Sequence, residues 1–348
     1  MTIVGIAAFL KNPERLENNK PLRERLKELD FLGAFFLIPA VICLVLALQW
    51  GGTKYAWNSA TIIGLFCGFG CLVIIFITIQ IRLGDRATIP IRVFARRSVF
   101  FSVMFAFCVG SAFLLVIFYL PLYFQGVKGA TATESGVHVL PLLLSVVMAS
   151  VCGGGVVTLI GYFTPFMIAG MALFTIGCGL LSTLSPSSST GMWFGYEIVA
   201  GVGLGMCLQV SFSSNKQKLI DKLSIIAVQT VVHMRDVPVA TALVMFFQQL
   251  GGAIFIAIGQ AVFQNKLIPK MEAINPSLRP IEIVSAGATG LKSLVNPDQL
   301  PAVLDAYAKS LNSTFDVAIT MAGMAFFMAC GVEFKSVKGK KLTPGGAA

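Results

Sequence analysis

Charged side chains are missing from seven long stretches of this 348-residue chain, and that property decides most of what it can fold into. Phe31–Thr53, Tyr55–Ile81, Ser98–Val127, Ser135–Tyr196, Ile198–Asn215, Val237–Asn265 and Val317–Val332 hold no Asp, Glu, Lys or Arg. A helix crossing the hydrocarbon core of a bilayer needs about 20 mostly apolar residues. Backbone in lipid must satisfy its own hydrogen bonds, which favours helices, and these runs are far longer than barrel strands of about 10 residues. The longest run must hold more than one helix. Thr164-Pro165 and Ser185-Pro186-Ser187-Ser188-Ser189 divide it, because proline restrains the residue before it and serine competes for backbone hydrogen bonds. Eight spans result, near 31–49, 59–82, 99–124, 137–161, 164–184, 192–212, 237–263 and 315–334. The fold class is therefore an all-α integral membrane protein. Composition agrees, with 12% charged residues against about 25% in a soluble domain.

Orientation follows from the basic residues. Counted over alternate connections, nineteen of the 26 Lys and Arg fall in one set: Lys11–Lys27, Arg82–Arg97, Lys216–Arg235 and the tail from Lys335. The positive-inside rule places that set, and hence the C-terminus, in the cytoplasm. The net charge of +10 then reads as topology, and no nucleic-acid partner is needed to explain it. Met1–Leu10 is apolar but about half as long as a crossing, and it lacks a signal peptide's basic region and cleavage site. It reads as the end of a preceding span.

All eight cysteines lie within or at the edges of spans, so the loops carry no disulfide framework. Cys67 and Cys71 are one helical turn apart, yet with only His138 and His233 elsewhere no zinc set is formed, and neither metal nor cofactor is expected. An enzyme is not expected either, because clustered His, Asp or Glu near a membrane face are lacking.

Ionisable groups at membrane depth are costly and mark function by default. Nearly all sixteen acids are in loops; Glu197, about five residues into the sixth span, is the exception and the proton-coupling candidate. A structural reading, a carboxyl bonded to a neighbouring backbone group, stands beside it. The polar residues of the other spans are mostly amides. Gln209, Gln248 and Gln249 are candidates for lining a solute cavity, and Gln248 and Gln249 project about 100° apart on a helix, so one of them is expected to face it. Phe247, Tyr119 and Tyr123 offer an apolar solute surface, with ordinary helix packing as the alternative. Gly201, Gly205, Gly251 and Gly252 are read as helix-packing positions, Gly201 and Gly205 having small-xxx-small spacing. Gly201-Val-Gly203-Leu-Gly205 is not a dinucleotide loop, since no strand precedes it. Asn312-Ser313-Thr314 is a glycosylation sequon close to the outer membrane face.

The stretch from Phe118-Tyr-Leu-Pro-Leu-Tyr-Phe-Gln-Gly to Ser135-Gly-Val-His-Val-Leu-Pro-Leu resembles a junction in the C-terminal half of major facilitator transporters. It is most similar to the fungal fourteen-span drug:proton antiporters. Asp30-Phe-Leu-Gly, Ala47-Leu-Gln-Trp-Gly-Gly, Asp236-Val-Pro-Val-Ala-Thr-Ala-Leu and Phe247-Gln-Gln-Leu-Gly-Gly-Ala extend the resemblance over almost the whole chain. It implies proton-coupled efflux of small amphipathic molecules by two halves rocking about a cavity. It divides the chain into a span remnant and linker at 1–30, an extra helix pair at 31–83 and a cytoplasmic loop at 84–98. A six-helix half follows at 99–334, with a polar insertion at 210–224 and an outer loop at 264–313, and then the tail at 335–348. The family's six earlier spans are not in the sequence, so the chain reads as truncated, its missing N-terminal half required or supplied by another chain. Glu197 stands where the family often has Gln. A non-transporting membrane scaffold or sensor is the alternative from a different class. The plasma membrane is favoured over the vacuole.

Overall fold

The computed structural model describes residues 30–84, 87–160, 163–208, 237–276, 290 and 296–332. Met1–Leu10, the 210–224 insertion, Gln209, His233 and the 335–348 tail lie outside those residues.

Local chemistry sets where helices begin and end. Asp30 caps α1 (Phe31–Trp50) by accepting from Gly33 N at 2.6 Å, and Ser59 caps α2 (Ala60–Leu83) by accepting from Ile62 N at 3.4 Å. Gly84, at φ +57°, turns the chain out of α2. After the short α3 (Ile91–Phe94) comes α4 (Arg97–Gly126), thirty residues that continue through Pro121. Thr131 and Glu134 form a reciprocal capping box at the start of α5 (Ala132–His138). Then follow α6 (Leu140–Ile160), α7 (Thr164–Leu181), with Pro165 in its first turn, and α8 (Thr190–Cys207). Two longer helices finish the described chain, α9 (Val237–Ile274) and α10 (Leu300–Gly331).

Among the described residues seven helical segments are long and apolar enough to cross a membrane, one of them α5 and α6 together. The eighth span expected from the sequence is α8, whose hydropathy is lowered by Glu197 and its glycines. It lies sandwiched between α6 and α7. From there α7 packs on α10, α10 on α4, α4 on α9, and α9 touches α1, which pairs with α2. The main core runs through this bundle along Leu115, Tyr119 and Phe124 of α4, Met167 and Phe174 of α7, and Phe315 of α10.

Cross-links between connections show which helix ends share a face. Trp57, between α1 and α2, donates to Asn265 Oδ1 near the far end of α9 at 3.2 Å. Lys128, after α4, donates to Pro186 O and Ser188 O at 2.8 and 2.7 Å. Asn312 donates to Leu184 O at 3.0 Å. At the opposite ends, Asp30 is joined to Gln80 and Thr88. Of the four basic connections, only Arg82–Arg97 lies largely within the described part of the chain, beside the Asp30 cluster.

Two boundaries differ from the sequence reading. Among the described residues, both ends of the outer loop expected at 264–313 are helical, because α9 continues to Ile274 and α10 begins at Leu300. At about 1.5 Å per residue, α9 is about 57 Å long against a hydrocarbon core of about 30 Å, so it projects well beyond the bilayer. Its projecting turns carry Lys266 and Lys270, which ended the charge-free run, while Leu267 and Met271 are buried in one core with Val303, Tyr307 and Leu311 of α10. The span expected at 137–161 begins at Ala132 as α5 and is broken near Val139. The sequon is also placed differently: Asn312 is inside α10 with its amide bonded to Leu184 O.

Candidate functional site

Small residues let α8 sit against both neighbours at backbone distance. Gly201 and Gly205 share one side of the helix, where a Cβ would collide with Leu142 O and Val146 O of α6. Gly203 points the other way, where a Cβ would meet Phe174 N and Gly170 O of α7. The Gly-x-Gly-x-Gly pattern thus serves two interfaces at once.

Glu197 lies one turn before Gly201 on the side facing α6, and none of its surface is exposed. Its Oε2 accepts from Leu142 N at 3.3 Å. Leu142 is near the first turn of α6, where helix N–H groups lack intrahelical acceptors and the dipole favours negative charge. Glu197 Oε1 is buried without a hydrogen-bond partner among the described residues, and so is His138 Nδ1. The His138 ring packs against both Phe124 and Trp193, with centroids 4.9 and 5.1 Å away. A carboxyl so placed can hold a proton or a hydrogen bond, and among the described residues no cation forms an ion pair with it.

An apolar groove of about 330 Å³ opens next to Glu197, lined by Val137, Leu140, Pro141, Leu144 and Ser145 on one lip and Phe194 and Ile198 on the other. Its only polar side chain is Ser145.

The other sequence candidates are distributed through the bundle. Tyr119 is fully buried on α4 and donates to Ile256 O at 3.2 Å, with Gln260 Oε1 at 3.4 Å. Tyr123, one turn on, donates to Ser185 O at 2.8 Å and ties α4 to the α7–α8 connection. Phe247 stacks on Phe94, with centroids 5.9 Å apart, in an apolar cluster shared by α3, α4 and α9. Gln248 is half-buried, its backbone carbonyl against Gly110, whereas Gln249 is exposed. A Cβ on Gly251 would strike Phe107 O, and one on Gly252 would strike Leu114 of α4. Glu197 and these α9 groups therefore belong to different seams, α8 against α6 and α9 against α4. Among the described residues no group of three or more His, Cys, Asp or Glu is positioned to hold a metal ion.

Two polar clusters were not singled out in the sequence. Asp30 Oδ2 accepts from Gln80 Nε2 at 2.5 Å and from Thr88 N and Oγ1 at 3.1 and 2.9 Å, while Gln80 Oε1 accepts from Ile89 N at 2.9 Å. Burial pushes the Asp30 carboxyl up, but the bonds from Gln80, Gly33 and Thr88 outweigh it and hold its pKa below the ordinary value. The second cluster is Lys128 with its two carbonyl acceptors; partial burial lowers the pKa of its ammonium. An amide at Gln80, near the end of an apolar span, was the readable signal for the first. Nothing local announced the second.

No family model matches the chain. Among curated proteins it is 44% identical over all 348 residues to an MFS-type efflux pump of Arthroderma benhamiae, covering 62% of that relative. It is 40% identical to an efflux pump of Penicillium rubens, over 97% of this chain and 60% of the relative. It is 39% identical to the aspyridones efflux protein of Neocamarosporium betae, over 98% of this chain and 59% of the relative. The chain spans about 60% of the length of the curated relatives it matches. With seven span-length apolar segments, it is an integral multi-pass membrane protein homologous along its whole length to MFS-type transporters.

Proposed function

We propose that this chain forms part of a proton-coupled exporter of small amphipathic molecules working by alternating access, with Glu197 as the proton-carrying group. The observation that carries this reading is one fully buried carboxyl in an otherwise acid-free span, with one oxygen unbonded among the described residues. An ionisable group at membrane depth is rare and is a functional candidate by default. Efflux as the process is supported by the names of the relatives, and amphipathic compounds as substrates by the resemblance of the sequence motifs to drug:proton antiporters. The described bundle supplies one wall of a solute path; helices from a longer product or another chain supply the facing wall. The C-terminus is cytoplasmic and the plasma membrane is the site of action, the first from the distribution of basic loops.

The test uses sealed vesicles holding this chain alone or together with the part of the Arthroderma benhamiae relative outside the match. An imposed pH gradient is expected to drive a fluorescent amphipathic cation across the membrane in the combined sample, and Glu197→Gln is expected to uncouple that movement from the gradient. Transport in neither sample under any gradient favours a non-transporting scaffold. Unchanged coupling in Glu197→Gln removes the carboxyl from the proton path.

A further inference from the structure

The span entered by α5 and left by α6 is interrupted, and the interruption has a chemical cause. Pro141 has no N–H to offer Val137 O, and its ring would crowd that carbonyl in a continuous helix. The helical bonding of α5 ends with Val139 N donating to Ser135 O at 3.3 Å, and that of α6 resumes with Leu143 N donating to Val139 O at 3.3 Å. Leu142 N–H, which an unbroken helix would direct to His138 O, goes to another helix altogether, to Glu197 Oε2.

Both sides of the break are held by one turn of α8. On the α5 side, His138 packs on Trp193 at 5.1 Å, and Trp193 in turn packs on Phe124 of α4 at 4.9 Å. On the α6 side, Leu142 bonds Glu197. His138 and Leu142 are four residues apart, as are Trp193 and Glu197, so two matched rungs join the helices across the proline. The close backbone approach at Gly201 continues the ladder inward.

From this geometry we infer that Trp193 and Glu197 splint the proline break between α5 and α6, with Glu197 as a positioning residue for the hinge whatever its part in proton movement. The consequence lies on the neighbouring face. Phe194 and Ile198 each follow a splint residue and form one lip of the apolar groove; Val137, Leu140, Pro141 and Leu144 flank the break and form the other. The angle of the break therefore sets the groove's width. Only the transport arm of the test rests on the proposed function.

Hydrogen exchange of the Leu142 amide in the full chain, reconstituted in lipid nanodiscs, reads the splint directly. Glu197→Leu is expected to speed that exchange roughly tenfold, the equivalent of losing about 1.4 kcal/mol of protection. Glu197→Gln keeps an acceptor oxygen and is expected to stay within about threefold of the parent. Pro141→Ala restores the N–H at that position and lets Leu142 bond His138 O, so Pro141→Ala/Glu197→Leu is expected to recover protection. If Glu197→Leu alone yields no folded protein, recovery by Pro141→Ala gives the same support, and no recovery overturns the inference. Unchanged exchange in Glu197→Leu also overturns it. Glu197→Gln separates the two ideas in the vesicle assay: coupling retained with Leu142 still protected removes the proton role and leaves the splint standing. Coupling lost while Glu197→Leu leaves Leu142 protected does the reverse.

Discussion

The α1–α2 pair and the bundle from α4 to α10 are both built of apolar helices, the pair being the more apolar, but they are held together in different ways. In their most apolar windows α1 and α2 are 17% and 11% buried, whereas α4 is 67% buried. The pair is fastened by polar groups at its ends: the Asp30 cluster on one face, and Trp57 to Asn265 on the other. The bundle is fastened in its middle, where glycines bring backbones together and large side chains fill the remaining space. Lipid is as apolar as leucine, so apolar area alone does not drive helices together in a bilayer. Close packing and hydrogen bonds must do so, and the two regions divide those means between them.

Substituting glycines tests that difference most severely. Gly203→Leu in α8 must displace backbone atoms of α7 and is expected to cost about 3 kcal/mol or more, read as loss of monodisperse protein on heating in detergent. Gly64→Leu in α2 meets nothing within 4 Å and is expected to leave that profile unchanged within about 0.5 kcal/mol. Equal losses at the two positions would erase the distinction.

Asp30→Ala removes a helix cap and the link from α1 to the 87–90 segment, and is expected to cost about 1–2 kcal/mol in the same measurement. The sign of its pH dependence is fixed by the depressed carboxyl. The folded form binds its proton less readily than the unfolded form, so the contribution is complete above the ordinary value of 3.8 and disappears as pH falls through the lower folded value. The difference between parent and Asp30→Ala should therefore shrink only below pH 3.8. A difference already lost at pH 6 would contradict the assignment.

Within the bundle, Tyr123→Phe deletes one buried hydrogen bond to Ser185 O and is expected to cost about 1 kcal/mol, with faster proteolysis of the 183–189 connection as the local readout. The smallest effect is expected from Trp57→Ala, whose bond to Asn265 is exposed: about 0.5 kcal/mol or less.

The candidate site was half legible. Glu197 stood out because an acid in an apolar run is conspicuous at any position. Its partner was hidden, because Leu142 is 55 residues away and offers only a backbone N–H. The break it bonds to was hidden for a related reason. Pro39, Pro121 and Pro269 lie inside continuous helices, so a proline in the sequence does not by itself announce an interruption. Tyr119 and Tyr123 show the opposite case. Their spacing placed them on one face of α4, but only their acceptors, Ile256 O and Ser185 O, show that this face is turned inward.

The sequence by itself determined the helical class and the approximate spans, because both follow from the cost of charge and of unpaired backbone in hydrocarbon, which is paid residue by residue along the chain. The structure decided which helices meet, that α9 and α10 run on past the length a crossing needs, and that one turn of α8 contacts both sides of a broken span. Those features depend on partners distant in sequence, and in a bilayer, where nearly every side chain is apolar, hydrophobic patterning carries little information about which face finds which neighbour.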